Sequence, residues 1–375
     1  MANASTGKSG PVGIGFIGAG NISDQYLTNL VNFPDVKVLF IADLDLDRAR
    51  SQADKYGVDL SGSVEELLAH PEVEIVVNLT IPAAHAEVDL KCIAAGKHVW
   101  SEKPYATTRE DAAKVAKAAN DAGVLVCVAP DTIMGGGIQT GLRAIKDGKI
   151  GKPLSAITMF QVGGPEAWHP GPEFLFAKGG GPLLDMGPYY ISTLVSVFGP
   201  VARVTALGSK AKKTRVIASG PKAGTEFPVE VPTHVGALIE FESGASAQCI
   251  FSFESPLFRM GFVEINGTEG TISLPDPNMF DGDSELHLGM EPEQISKIGL
   301  TGPTHGRGTG VTEMAQAIRE GRKVRIPGEI ALHVLDVLLS IQDAIETRNW
   351  VDVKSTLDLI EPLPADWDPI NATIE

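Results

Sequence analysis

A glycine-rich turn follows the first apolar run of the sequence. The segment GFIGAGNIS contains a GxGxxS pattern made of Gly18, Gly20 and Ser23, with Asn21 and Ile22 between the last two. In such a turn the first glycine permits the tight bend and the second lets the backbone approach a pyrophosphate. The third, small residue packs the helix against the strand, and the pyrophosphate lies at the N-terminus of that helix. The pattern therefore predicts a dinucleotide site formed by these residues.

A carboxylate stands at the end of the second apolar run, FIAD. Asp43 comes 25 residues after Gly18, and no arginine follows it directly. A carboxylate at this place accepts hydrogen bonds from the adenosine ribose and repels a 2′-phosphate. Asp43 therefore predicts NAD rather than NADP as the cofactor. A surface turn position is the alternative interpretation of this residue.

The segment GKHVWSEKPYA places a lysine in a turn after an apolar run of β type. Glu102, Lys103 and Pro104 would then lie at the carboxyl end of a parallel strand. Ligands bind at that edge of open α/β sheets, so Lys103 would bring a cation or proton donor beside the nicotinamide. A solvated surface lysine is the alternative.

Two side chains with acid–base chemistry are four residues apart in GGGPLLDMGPYY. On a helix this spacing brings Asp185 and Tyr189 to one face. Oxidation of an alcohol needs a base, and a neighbouring ammonium such as Lys103 would lower the pKa of a tyrosine from its ordinary value of about 10. Two alternatives stay open: Asp185 as a helix N-cap ahead of Pro188, and Tyr190 as the functional tyrosine.

Composition limits the classes of protein that these motifs can belong to. The chain has 375 residues, 43% hydrophobic and 21% charged, which predicts two or three globular domains. The net charge of -16 argues against nucleic acid and anionic membranes as partners. No apolar stretch approaches the roughly 18 residues of a membrane helix, and the first ten residues read as a flexible tail without the apolar core of a secretory signal.

The cysteines and histidines predict neither disulfides nor a metal site. Cys92, Cys127 and Cys249 are far apart in apolar runs, as expected of free, buried thiols in a reducing cytoplasm. The histidines form no HxxxH pattern and the cysteines no CxxC, so no zinc site is expected. A GxSxG nucleophile elbow is also missing from the sequence.

The periodicity of the chain predicts where these residues are held. Up to about Pro130, short apolar runs alternate with helical segments, one of them capped by Thr108 and ended by Gly123, which is typical of a doubly wound parallel sheet. Beyond that point, runs of alternating polarity with the turns SGAS and NGTEG predict an α+β region with a broad, mainly antiparallel sheet. We thus predict an α/β fold with a cofactor domain at 11–130 and a substrate-binding and oligomerisation domain at 131–375. The predicted helices of the second domain are Gln139–Lys146, Asp185–Phe198, Glu313–Glu320 and Ile330–Glu346, and Pro275–Gly310 is predicted to be loops.

The ordered set GAGNIS, IAD, NLTIPAAH and GKHVWSEKP resembles the Gfo/Idh/MocA oxidoreductase family, which includes glucose–fructose oxidoreductase and inositol dehydrogenase. GGGPLLDMGPYY is similar to the second signature of that family, a GG-x-L-x-D-x-G-x-x-H motif. The resemblance extends over Val12–Val128 and Gly179–Phe198. It implies an N-terminal Rossmann domain, a C-terminal open-faced sheet, a bound nicotinamide and a sugar-like polyol substrate.

The resemblance also implies roles for individual residues. Lys103 matches the family's catalytic or substrate-orienting lysine and Asp185 its aspartate, whereas Tyr189 stands where most members have a catalytic histidine. The stretch VAPDTIMGGG replaces the usual segment with asparagine, tyrosine and arginine, so Asp131 is expected among altered substrate contacts. Thr80, Pro82 and His85 match residues that line the nicotinamide pocket, with a purely structural role as the alternative for His85. Glu102 and Lys103 of the turn are further cofactor-binding candidates.

A second group of substrate-binding candidates lies in PEAWHPGPEF. Trp168 has a face that can stack on a sugar, and His169 can orient polar groups; an ordered loop that packs its aromatic ring inward is the alternative. In TGPTHGRGTG, residues 301–310, Arg307 and backbone amides have the chemistry to bind an anion. We favour a plain flexible loop there.

The function expected from these observations is NAD-dependent oxidation of a secondary hydroxyl on a sugar, glycoside or cyclitol. The alternative is an NAD-dependent glycoside hydrolase, which oxidises the ring transiently, eliminates the glycosidic group, adds water and reduces the ketone again. A third interpretation is a non-catalytic sugar or dinucleotide sensor. The exposed face of the predicted sheet further predicts a homo-oligomer, a dimer or tetramer packed through that sheet. The free cysteines predict a cytoplasmic location.

Overall fold

The computed structural model describes residues 8–374, so most of the expected N-terminal tail lies outside the described residues. The chain forms two compact units. The first unit comprises residues up to 135, together with 302–332 and the stretch from 363 onward. The second unit comprises 136–301 and 333–362. The predicted domains, 11–130 and 131–375, are each one continuous stretch. In the structure, two later stretches of the chain belong to the first unit.

The first unit is built on a six-stranded parallel sheet with the strand order β3-β2-β1-β4-β5-β6. This order is that of the doubly wound dinucleotide fold, which confirms the predicted fold class. Only β3 was not predicted, because its three residues LSG contain no apolar run. The elements are β1 (Val12–Ile17), α1 (Asn21–Leu30), β2 (Val36–Ala42), α2 (Leu46–Tyr56), β3 (Leu60–Gly62), α3 (Val64–Ala69), β4 (Ile75–Asn78), α4 (His85–Ala94), β5 (His98–Ser101), α5 (Arg109–Ala122) and β6 (Val126–Val128).

Local signals set the limits of these elements. All residues of β1 and β4 are buried, as expected of strands covered on both faces. The side chain of Thr108 accepts a hydrogen bond from the backbone N–H of Asp111 at the start of α5, and Gly123 ends that helix in the left-handed conformation with φ 67°. Both ends of α5 are therefore as predicted.

The second unit contains a nine-stranded sheet with the order β16-β15-β14-β13-β7-β12-β11-β8-β17. Its neighbours are antiparallel except for β7 and β12, which pair in parallel. The predicted antiparallel pairs at SGAS and NGTEG are β11–β12 and β13–β14. In chain order the remaining elements are α6 (Gly136–Lys146), β7 (Pro153–Gly163), α7 (Gly181–Phe198), β8 (Val201–Ser209), β9 (Thr214–Val216), β10 (Glu226–Pro228), β11 (His234–Phe241), β12 (Ser246–Ser252), β13 (Glu254–Gly267), β14 (Thr271–Leu274), β15 (Ser284–His287), β16 (Ile295–Ile298), α8 (Thr309–Glu320), α9 (Gly328–Thr347) and β17 (Val351–Asp352).

Some predictions about elements are wrong. Helix α8 begins at Thr309 rather than near Glu313. The stretch Pro275–Gly310 is not all loop, since β15 and β16 lie within it; each has only four residues, too few for a clear alternation. Helix α7 begins at Gly181 and not near Asp185, because Pro182 occupies its first turn, where a proline is tolerated. Gly180 is the N-cap, so Asp185 lies inside the helix and is not its cap.

Each unit has its own core. In the first unit, Val311 and Met314 of α8 join the same buried cluster as Ile14 and Phe16 of β1, which explains why residues 302–332 belong to this unit. In the second unit, α7 packs against β7, β11 and β12. Within the described residues, no helix is long and apolar enough to cross a membrane.

Candidate active site

The glycine turn connects the end of β1 to the start of α1. Gly18 has φ 104°, and a Cβ on it would lie 2.8 Å from the carbonyl oxygen of Leu79, so only glycine fits there. A Cβ on Gly20, the N-cap of α1, would meet no atom within 4 Å. Ser23 folds back, and its hydroxyl donates to the Gly20 carbonyl at 2.6 Å. The backbone before α1 thus faces open space, as an approaching pyrophosphate requires.

Asp43 lies at the end of β2 and ties this strand to the glycine turn. Its Oδ2 accepts the backbone N–H of Ala19 at 2.7 Å, and its Oδ1 accepts that of Asp45 at 2.9 Å. The guanidinium of Arg48 also donates to Oδ1, at 2.9 Å. The sequence pattern missed Arg48 because it is five residues downstream, and the first turn of α2 brings it back to the carboxylate.

The turn after β4 is held by side chains that end the strand. Oδ1 of Asn78 accepts from both the backbone N–H and the hydroxyl of Thr80, at 3.1 and 2.7 Å. Its amide nitrogen donates to Oδ1 of Asp89 on α4 at 2.7 Å. Burial raises the pKa of Asp89 to about 7, although the Asn78 hydrogen bond lowers it. Neither Asn78 nor Asp89 was predicted; the signal was a polar residue at the end of a buried strand.

His85, the first residue of α4, has no exposed surface. Its Nδ1 lies 2.8 Å from the carbonyl oxygen of Pro104, and its Nε2 lies 3.0 Å from that of Thr80. The ring therefore joins the turn after β4 to the turn after β5. Pro82 lies half-buried in the first of these turns.

The turn with Glu102 and Lys103 follows β5 directly. The carboxylate of Glu102 is nearly buried; Oε1 accepts the hydroxyl of Tyr26 at 2.8 Å, and Oε2 accepts the backbone N–H of Lys103 at 3.0 Å. The indole N–H of Trp100 donates to the Tyr26 oxygen at 3.3 Å. Burial, and then the charge of Glu102, raise the pKa of Tyr26 well above its ordinary value, so the phenol remains a donor. Lys103 itself is half-buried at this edge.

Asp131 follows β6 and is fully buried. Its Oδ2 accepts the backbone N–H groups of Gly308 and Gly310 at 2.8 and 3.2 Å, at the start of α8. Nη1 of Arg307 lies 4.0 Å from both the Asp131 and the Glu102 carboxylates. Burial raises the pKa of Asp131 to about 6, against the lowering effect of Arg307. Residues 301–308 form no helix or strand, and Arg307 within them faces carboxylates of its own unit.

In the second unit, α7 carries Asp185 and Tyr189 one turn apart. Asp185 is half-buried and Tyr189 is 4% exposed. Tyr190 is fully buried, and its hydroxyl accepts the backbone N–H of Gly261 at 2.9 Å, so it is engaged in structure. Gly180 packs so closely that a Cβ would lie 2.5 Å from the carbonyl oxygen of Phe174. The glycines before α7 therefore allow it to approach the loop before it.

That loop presents an aromatic group. Trp168 is 68% exposed, and the His169 ring packs edge-on between Trp168 and Phe174, with 5.6 Å between centroids in each case. The base of the loop is fixed by a buried ion pair between Glu166 and Arg215. The alternative of an inward-packed Trp168 does not describe this structure, because the ring is on the surface.

The predicted residues thus fall into two groups, one in each unit. The carboxyl edge of the first sheet collects the glycine turn, Asp43, Thr80, His85, Glu102 and Lys103, and it adds Asp131. The second unit holds Asp185 and Tyr189 on α7, and Trp168 and His169 in the preceding loop. The cooperation of Lys103 with Asp185 and Tyr189 stays a prediction.

Comparisons with known proteins agree with this geometry. Residues 12–129 match the model of an oxidoreductase family with an NAD-binding Rossmann fold, Gfo/Idh/MocA, and residues 138–273 match the C-terminal domain of the same family. The chain belongs to the Gfo/Idh/MocA family of oxidoreductases. Its first unit is accordingly an NAD-binding Rossmann domain, and the open glycine turn fits that cofactor.

Several relatives of this Gfo/Idh/MocA protein are sugar oxidoreductases. The 1,5-anhydro-D-fructose reductase of Ensifer adhaerens is 30% identical over 265 residues, 69% of this chain and 74% of that protein. The levoglucosan dehydrogenase of Pseudarthrobacter phenanthrenivorans is 25% identical over 354 residues, 84% and 88% of the two chains.

Solved structures of the family share the fold. An NAD binding oxidoreductase from Klebsiella pneumoniae has a TM-score of 0.79 at 25% identity, covering 92% of this chain and 100% of that one. A levoglucosan dehydrogenase in complex with NADH and levoglucosan has a TM-score of 0.78 at 23% identity, covering 92% and 99%. The latter likeness is one of fold.

The Asp43–Arg48 pair generates a prediction about cofactor choice. We expect wild-type protein to bind NAD more tightly than NADP, since Asp43 repels a 2′-phosphate. Asp43→Ala should weaken NAD about tenfold or more, as expected for lost hydrogen bonds to a charged group, and strengthen NADP because Arg48 is released. Dissociation constants of NADH and NADPH from fluorescence titration measure both effects.

Two further variants make this test specific. Asp43→Ala/Arg48→Ala should lose the gain for NADPH, and Asp47→Ala, an exposed acid on the same helix, should leave both constants unchanged. Equal or tighter binding of NADPH by the wild type would contradict the placement of Asp43 at the ribose.

Proposed function

We propose that this protein oxidises a secondary hydroxyl of a sugar, glycoside or cyclitol with NAD. The observation that carries the proposal is the Glu102–Lys103 turn. It is fixed by Tyr26 at the carboxyl edge of an NAD-binding sheet, where such sheets bind their ligands. Relatives named as sugar oxidoreductases support the substrate class. The free, buried cysteines support a reducing, cytoplasmic location.

Three side chains divide the chemistry in this proposal. The glycine turn and Asp43 would hold NAD, which would supply the hydride acceptor for the carbinol carbon. Tyr189 takes the proton of the hydroxyl, Lys103 supplies a positive charge or a proton donor at the edge of the NAD-binding sheet, and Asp185, one helical turn from Tyr189, orients the substrate or the base. Asp131, fully buried and bonded to backbone amides, is proposed to support the edge rather than to touch the substrate.

The exposed ring of Trp168 is proposed to stack on the apolar face of the sugar, with His169 held beside it. His169 is oriented by the backbone N–H of Gly171, which donates to its Nδ1 at 3.0 Å. The other ring nitrogen has the chemistry to bind a sugar hydroxyl.

A screen of sugars, glycosides and cyclitols with NAD tests the function. Absorbance of NADH and release of aglycone are followed together. NADH accumulation with one of these compounds supports the proposed dehydrogenase. Aglycone release with trace NAD and no NADH would instead identify a glycoside hydrolase that uses transient oxidation. Binding of a sugar with neither signal would identify a sensor.

Lys103→Ala tests the role of the lysine. We expect NADH to bind almost as in the wild type and turnover to fall on the order of a hundredfold or more, because a positioned acid–base partner is lost. Lys97→Ala, on the same strand-and-turn segment but at the opposite end, is the matched control for turnover. Near-normal turnover of a folded Lys103→Ala protein would return Lys103 to the role of a surface lysine.

Tyr189→Phe tests the proton acceptor. It keeps the ring, so the protein should fold and bind NADH normally but lose most of its turnover. Tyr190→Phe should keep turnover and lose about 1 kcal/mol of unfolding free energy, because the partly buried N–H of Gly261 loses its acceptor.

The opposite pattern would move the proton-handling role elsewhere. If Tyr189→Phe keeps full turnover while Tyr190→Phe or His169→Ala abolishes it, the base is the adjacent tyrosine or lies in the Trp168 loop. Denaturant unfolding of each variant separates loss of chemistry from loss of fold.

The outer face of the nine-stranded sheet supports a homo-oligomer, which we propose as a dimer or tetramer. Residues directly opposite each other on paired strands share a face. One such row is apolar across five neighbouring strands, β8, β11, β12, β7 and β13, and it is formed by Leu207, Gly236, Ile250, Met159 and Phe262. Leu207 is 63% and Phe262 43% exposed in the single chain, so association through this face would remove apolar surface from water.

Charges in that row should separate the subunits. Leu207→Glu/Phe262→Glu is expected to shift a dimer or tetramer toward monomer in sedimentation velocity at micromolar concentration. Ile370→Glu, an exposed apolar position in the first unit, is the control and should not change the assembly. A monomeric wild-type protein would contradict the proposal.

A further inference from the structure

Both ring nitrogens of His85 face backbone carbonyl oxygens, and the ring has no exposed surface. Pro104, one of the two partners, directly follows Lys103; Thr80, the other, lies in the turn after β4. A carbonyl oxygen only accepts hydrogen bonds. The neutral ring has one N–H and bonds one carbonyl, whereas the imidazolium bonds both.

The surroundings of His85 have opposing effects on the pKa of its ring. Burial lowers the pKa of His85, the carboxylate of Glu102 raises it, and the ammonium of Lys103 lowers it. When the neutral ring carries its proton on Nδ1, it donates to the Pro104 carbonyl, the nearer of the two carbonyls at 2.8 Å. This neutral form and the imidazolium therefore both bond Pro104.

The partners of His85 are themselves fixed. On one side, Thr80 is held by Asn78, which is bonded to Asp89. On the other side, Glu102 is held by the Tyr26 hydroxyl and by its own N–H, which donates to the Asn78 carbonyl at 2.9 Å. Lys103 therefore lies between two anchored neighbours, Glu102 and Pro104.

We propose that His85 is a positioning residue, which fixes the backbone of Lys103 through the Pro104 carbonyl and does not contact the substrate. The resemblance alone places His85 in the pocket lining. In the structure the ring has no exposed surface and joins the turn after β4 to the turn after β5. The expected effect of His85 on turnover rests on the proposed function, in which Lys103 is catalytic. The expected effect of His85 on the backbone of the Lys103 turn does not depend on that function.

The chain offers variants that separate the two links. An Asn amide reaches about as far as Nδ1 of histidine, and a Gln amide about as far as Nε2. His85→Asn should therefore keep the link to Pro104, His85→Gln should keep only the link to Thr80, and His85→Leu should lose both. His333 is an equally buried histidine in the second unit, with Nε2 bonded to the backbone N–H of Val201 and Nδ1 near Ser355. His333→Leu is the matched control for loss of a buried ring.

The first readout needs neither substrate nor cofactor. Trace labelling with acetic anhydride, followed by mass spectrometry, gives the reactivity of Lys103 relative to the exposed Lys117. We expect this ratio to change at least threefold in His85→Leu and His85→Gln, to stay near the wild-type value in His85→Asn, and to stay unchanged in His333→Leu. With a substrate identified, turnover should fall about a hundredfold in His85→Leu, the cost of a displacement of about 1 Å, and return to within a few-fold in His85→Asn.

Wild-type Lys103 reactivity in a folded His85→Leu or His85→Gln protein would overturn the proposal, as would an equal change in His333→Leu. Wild-type Lys103 reactivity in His85→Gln together with changed reactivity in His85→Asn would also overturn it, because the link to Thr80 would then hold the turn. A shifted reactivity in His85→Leu together with normal turnover of Lys103→Ala would support the positioning and refute the proposed catalytic lysine.

Discussion

Burial of both faces of a parallel sheet leaves the polar groups at the strand ends away from water, and each must find a partner within the protein. In the first unit these partners are side chains from the strand ends themselves. Asp43 accepts from Ala19, Asn78 from Thr80, and Glu102 from the N–H of Lys103. The same bonds that stabilise the edge also fix the turns that carry the predicted site, so stability and function have one structural origin here.

The edge is acidic as well as buried. Glu102 and Asp131 lie near the single guanidinium of Arg307, 4.0 Å from each, while backbone amides and the Tyr26 phenol supply the close donors. Removing one donor would leave a buried carboxylate poorly paired, which typically costs several kcal/mol. The pKa of Asp131 is raised to about 6 because the effect of burial exceeds the lowering effect of these donors. The return of residues 302–332 to the first unit is therefore an electrostatic requirement as well as a matter of apolar packing.

The sheet of the second unit differs from that of the first unit in having one covered and one open face. Helix α7 is buried along almost its whole length and holds Asp185 and Tyr189 in a fixed relation. The loop before it depends on Arg215, whose guanidinium pairs with Glu166 and Glu254 and packs 5.1 Å from the centre of the Phe176 ring. This buried charge anchors a loop whose Trp168 remains on the surface, where a rigid aromatic ring can meet a ligand.

Features encoded within a few residues could be predicted from the sequence. They are the glycine turn, the limits of α5, the turn at Lys103, the i, i+4 relation of Asp185 and Tyr189, and the alternation that marks the large sheet. Tertiary structure alone decided how the polar atoms are paired. Tyr26 bonds Glu102 across 76 residues, and Asp131 bonds Gly308 across 177; no local pattern contains such partners. The fold also decided that both ring nitrogens of His85 face carbonyl oxygens and that the Tyr190 hydroxyl accepts the Gly261 N–H. It likewise decided that the Arg48 guanidinium bonds the Asp43 carboxylate. The reason is that periodicity and capping act along the chain, whereas the satisfaction of buried polar groups depends on which distant segments the fold brings together.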